Sequence, residues 1–166
     1  MLPSRDRDAA GRARNARPRD ELGRPLPRDA AGQPPADDRP RPPLEALAAA
    51  QDLINADRPF HAHEVLEAAW KAAPPGERDL WQGLAQIAVG LTHALRGNAR
   101  GAASLLRRGT DRLAGYPGAG PHGIDVAGLR LSAMELAAHI DRSGADQLDP
   151  DSLHLTLQVP DAADRA

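Results

Sequence analysis

The chain has 166 residues, no cysteine, 21 Lys and Arg against 23 Asp and Glu, and a formal net charge of −2. That length suits one domain with tails rather than two. The missing cysteines exclude disulfides, thiolate metal sites and cysteine nucleophiles, and the charge excludes a strongly basic nucleic-acid binder.

Residues 1–43 hold ten arginines, seven acidic residues and nine of the sixteen prolines, with few large apolar side chains. Such a stretch cannot bury enough surface to offset its ordering entropy, so it reads as a mobile, solvated tail that is dispensable for folding. No apolar run follows its first arginines, so no secretory signal is expected, and a reducing cytoplasm is the expected compartment. The helical domain is expected over residues 44–143, with an extended segment and tail over 144–166.

Pro42-Pro43 opens a helical pattern of Leu44, Leu47, Ala50 and Ile54 that runs to about Ala56. Pro59 suits the first turn of a second helix, which stops by Pro74-Pro75-Gly76. A third helix spans about Glu77 to Arg96. From Leu80 to Leu95 it carries no formal charge, which marks it as the buried central helix, since the run is shorter than the roughly 20 apolar residues of a bilayer span. Leu80, Leu84, Ile87, Leu91 and Leu95 share one face, and Gln82, Gln86, Val89 and His93 the opposite one. Arg96 fits the dipole at that helix's C-terminus. Gly97-Asn98 reads as a helix stop followed by an N-cap, and the fourth helix shows Arg100, Arg107, Arg108 and Arg112 to water. After a Tyr116–Pro121 loop, Asp125 caps a fifth helix built on Val126, Leu129, Ala133, Leu136, Ala137 and Ile140. In Ser152–Val159 the apolar residues alternate, which is an extended segment with weak strand character.

The chemistry sits on the second helix. His63 and Glu67 lie one turn apart, with Trp70 three further on, so the three share a stripe. An imidazole and a carboxylate at that spacing can hold a metal or pass a proton. They fall at the edge of the apolar arc formed by Ala62, Leu66, Ala69, Trp70 and Ala73, and the short connection makes helices two and three antiparallel neighbours. A polar pocket between these helices follows, with His63 and Glu67 facing Gln82, Gln86 and His93. Two protein ligands rarely hold zinc, so a metal site needs a third group, His93 first or else a nearby carboxylate. His63-Glu64-Val65-Leu66-Glu67 also has the outline of a zinc-protease helix, but Glu67 stands where that motif has its second histidine.

The run His63-Glu64-Val65-Leu66-Glu67-Ala68-Ala69-Trp70, then Leu80-Trp81-Gln82-Gly83-Leu84-Ala85-Gln86, then His93-Ala94-Leu95-Arg96-Gly97-Asn98, with Gly123-Ile124-Asp125 beyond, resembles the domain-of-unknown-function 309 family of small bacterial and archaeal helical proteins. The resemblance covers roughly Leu47 to Ile140. That family's signature of a histidine, three residues, a glutamate, two residues and a tryptophan maps onto His63, Glu67 and Trp70, and the resemblance implies an all-helical fold of about five helices, a role in metal binding and no established reaction.

Two functions fit these residues. One is a divalent-metal protein, with zinc or a similar ion, or a hydrolase, in which His63 and Glu67 are ligands and His93 completes the site or acts as base, with Trp70, Gln82 and Gln86 lining the pocket. The other is a non-enzymatic interaction module whose His, Glu and Trp motif is structural. Neither a membrane nor a nucleic-acid partner is expected, and a homodimer is compatible with the sequence.

Overall fold

The computed structural model describes residues 18–27, 29–32 and 39–160. Five helices follow one another: α1 (Pro43–Asn55), α2 (Pro59–Ala72), α3 (Arg78–Leu95), α4 (Ala99–Leu113) and α5 (Val126–Ser143). Among the described residues there are only isolated β-bridges and no strand, so the all-α architecture is as the sequence implies.

The punctuation of the chain explains where each helix begins and ends. Prolines at the first positions of α1 and α2 supply a fixed φ where no intrahelical N–H bond is needed. Asp57, at φ 58°, turns the chain between those helices. Pro74 and Pro75 stop α2, and one 3-10 turn, Pro75–Glu77, leads directly into α3. Gly97, at φ 76°, takes the left-handed conformation that ends α3, and Asn98 Oδ1 then accepts from Gly101 N at 3.0 Å to cap α4. Asp125 Oδ1 caps α5 in the same way from Gly128 N, also at 3.0 Å.

Each helix packs chiefly on its neighbours in the chain, which makes a run of antiparallel hairpins with α3 at its centre. Leu80, Trp81, Leu84, Ile87 and Leu91 of α3 are essentially inaccessible to solvent. The α3–α4 crossing is close because glycines line it: Gly83 and Gly109 face each other, and Gly90 meets Leu106. The C-terminal segment closes the array. Leu153, Leu155 and Leu157 alternate inward into the core. Gln51 of α1 donates to Leu155 O and accepts from Leu157 N at 3.0 and 2.8 Å, while Asp125 N donates to Leu157 O at 2.9 Å, so the segment straps α1 to the start of α5.

The N-terminal segment differs from the solvated tail that its composition implies. Residues 18–26 form a small hairpin, bridged at Arg19 and Pro25, that rests on the α2 N-terminus and the α3 C-terminus. The rest of the expected tail, residues 1–17, 28 and 33–38, lies outside the described residues.

Candidate functional site

α2 runs with its His61, Ala62, Val65, Leu66 and Ala69 face buried. That arc leaves His63 and Glu67 at its margin, as the helical wheel requires. His63 Nε2 lies 3.6 Å from Glu67 Oε2, and Glu67 Oε1 is 3.1 Å from Lys71 Nζ, so the carboxylate sits between an imidazole and an ammonium on one stripe. Burial pushes the His63 pKa below its ordinary value of 6.5; Glu67 opposes this, while Lys71 and Arg19 add to it. That shift favours the neutral imidazole. Trp70 is half-buried and packs against the core.

The polar stripe of α3 is half-buried as expected, but its bonds run to α4 and not to α2. Gln86 Oε1 accepts from Arg112 Nε of α4 at 3.2 Å, and Arg112 also reaches Asp79 at 2.9 Å. His93 Nδ1 is 2.9 Å from the Asn98 amide nitrogen and lies beside Gly101 in the first turn of α4. The physical reason is the glycine-lined crossing: α4 comes so close to α3 that its long arginine and its cap residue reach the stripe first. Among the described residues no hydrogen bond or ion pair joins His63 or Glu67 to Gln82, Gln86 or His93, the residues expected to share a pocket with them. Among the described residues no three His, Cys, Asp or Glu side chains come together so as to hold a metal ion. His63 and Glu67 make a pair of donors without the third ligand that a protein zinc site uses, and His93 is engaged elsewhere, so these residues do not fit the metal that the resemblance implies.

What borders His63 instead is an aromatic and cationic cluster with no counterpart in the sequence reading. The Phe60 ring contacts His61 edge-on at 5.9 Å between centroids and His63 at 5.8 Å. The Arg19 guanidinium lies 4.6 Å from the Phe60 centroid, and that of Arg96 6.0 Å from it. Arg96 does more than complement a helix dipole, because its Nε and Nη2 both donate to Leu22 O, at 3.0 and 2.7 Å. His61 is buried, and its pKa is lowered by that burial, then by Arg58 and Arg19. Phe60 is the chain's only phenylalanine, and its place next to two histidines was the available signal.

A second polar group pins the corner between α2 and α3. Glu77 Oε2 accepts from Trp81 Nε1 at 3.1 Å and pairs with His122 Nε2 at 2.9 Å, and the His122 bond holds the carboxyl below its usual range against the effect of burial. Tyr116 donates to Gly76 O at 2.8 Å and accepts from Leu80 N at 3.1 Å, which satisfies one of the N–H groups left open at the start of α3. Trp81, not Trp70, is the tryptophan of the core.

Residues 47–105 match the family model described as "Domain of unknown function (DUF309)". The "Uncharacterized protein YpuF" of Bacillus subtilis (strain 168) is 46% identical over 48 residues, which are 28% of this chain and 28% of that protein, so the similarity spans little more than a quarter of that relative's length. No solved structure matches. The matched residues 47–105 run from α1 into α4 and hold the whole motif helix, so the chain is similar to the DUF309 family over that stretch.

Proposed function

We propose that the protein is a non-enzymatic helical interaction module in which the His63, Glu67 and Trp70 motif organises a docking edge. The observation that carries this reading is the divergence of the candidate polar residues. His63 pairs along its own helix, while Gln86 and His93 tie α3 to α4 and its cap, so the three take separate partners rather than a common point where a substrate atom or an ion would sit. The surface elsewhere agrees with it. Arg100, Arg107 and Arg108 lie exposed on α4, and Leu131 and Met134 are 61% and 54% exposed one turn apart on α5, which is the mix of charged and apolar surface that partners use.

The test is a calorimetric titration of the full chain, purified free of metal, with zinc, manganese and magnesium ions. The module reading expects no stoichiometric binding at micromolar concentration, and expects His63→Ala and Glu67→Gln to keep the helicity of the parent. One equivalent of ion bound by the parent and lost in both variants would overturn it in favour of a metal protein.

A further inference from the structure

The hairpin at residues 18–26 is built rather than draped. Gly23 N donates to Asp20 O at 2.9 Å, Asp20 N to Arg24 O at 3.0 Å and Leu26 N to Pro18 O at 2.8 Å. Asp20 Oδ1 accepts from Leu22 N and Arg24 N at 3.0 and 2.7 Å, and Arg19 Nη1 donates to Gly23 O at 2.6 Å. Gly23 has φ 75° and is buried against Phe60 so tightly that a Cβ there would lie 2.1 Å from Phe60 Cγ. The body reads three features of this turn: Phe60 takes the glycine Cα and the Arg19 guanidinium, and Arg96 takes the Leu22 carbonyl. Ring face, backbone carbonyl and a glycine with no room for a side chain together make contacts that only a turn of this shape satisfies.

The fit also carries a cost. Arg19, Arg24 and Arg96 crowd together with Asp20 as the nearby counter-charge, and burial and the two like charges depress the Arg96 pKa. Such a turn holds its place through being tethered, at an effective concentration in the millimolar range, more than through its own affinity.

We infer that Phe60, Arg96 and the flanking His61 and His63 form a recognition site for a glycine turn preceded by an arginine, that residues 18–26 occupy it in cis, and that a partner protein bearing such a turn displaces them. This rests on the interaction-module reading and names its ligand. The hairpin covers the margin of the motif helix, so displacement would also uncover His63.

The experiment uses a fluorescent decapeptide of residues 18–27 as probe, with the full chain and its Gly23→Val variant. Valine at a positive φ and against Phe60 unseats the tethered turn, which amide exchange at residues 18–26 reports, while far-UV circular dichroism checks that the helices persist. The variant is expected to bind the probe about 100-fold more tightly than the parent, taking a probe Kd of order 10 µM against a tether of about 1 mM. Probe carrying its own Gly23→Val change, or protein with Phe60→Ala added, should not bind. Equal binding by parent and variant, no binding by a variant whose turn is released, or a turn still docked in the variant would each overturn the inference. Sedimentation of the parent decides the remaining occupant: a monomer supports a partner's turn, whereas a dimer exchanging hairpins overturns it. Metal binding at His63 would sink the module reading and leave the probe result standing, so the two failures are distinguishable.

Discussion

Gly109→Ala sets a favourable local term against a packing penalty at the α3–α4 crossing. In a helix interior alanine is preferred over glycine by about 1 kcal/mol. At Gly109, however, the new Cβ would meet Ile87 Cγ1 at 2.6 Å, Gly83 O at 2.7 Å and Ile87 N at 3.1 Å. Ile87 can rotate its Cγ1 away, but Gly83 O and Ile87 N belong to the backbone of the central helix and cannot move without separating the two helices. Overpacking of this kind costs about 1–3 kcal/mol, so the net effect is a loss of up to about 2 kcal/mol. Gly115 is the control, because a Cβ there meets nothing within 4 Å. Alanine at 115 should be neutral or stabilise by about 0.4–1 kcal/mol through the unfolded state. Urea unfolding followed by tryptophan fluorescence reads both, since Trp81 is buried. A Gly109→Ala chain more stable than the parent, with the helix preference of alanine unopposed, would refute the close backbone contact on which the placement of Gln86 and His93 depends.

Stability should fall as pH drops from 7.5 to 5.5. His61, His63 and His93 all have pKa values lowered from 6.5, each mainly by burial. The unfolded chain therefore takes up protons first as pH falls through about 6.5, and the loss levels off once the folded histidines titrate too. A lower urea midpoint at pH 5.5, partly restored by His63→Gln, is the expected result, and an unchanged midpoint would contradict it. Leu84→Asp should unfold the domain, because Leu84 is fully buried and an unpaired buried carboxylate costs several kcal/mol against a total of about 5–15. Gln86→Leu should stay folded, since Arg112 keeps Asp79 as its partner, and its circular dichroism and urea midpoint check this.

The helices were legible because their signals are local. Proline at the start of α1 and α2, Asn98 and Asp125 at the caps and the charge-free run of α3 each act within a few residues, and the structure places all five helices within two residues or so of those marks. The alternating Leu153, Leu155 and Leu157 were readable for the same reason, although nothing local named Gln51 as the side chain that pins them. The site was less legible because it depends on which helix lies against which stripe. The periodicity of α3 reveals an uncharged polar face but not whether α2 or α4 borders it. That choice follows from Gly83, Gly90 and Gly109, whose missing side chains admit α4, a long-range fit that no window of sequence contains. In the N-terminal segment, the arginine and proline content outweighed a readable turn signal, Asp20 followed three residues later by Gly23. Composition describes an average, and one ordered turn was lost in it.

The most direct measurement is a long-range proton–nitrogen spectrum of the histidine rings in the full chain at pH 7, before and after one equivalent of zinc. His63 and His93 belong to different bonding partners here, Glu67 and Asn98. The account predicts neutral imidazoles for both, with resonances that zinc does not move. Resonances of His63 and His93 that shift together and saturate at one equivalent would contradict it, because a single ion would then bridge residues that the fold turns towards separate neighbours.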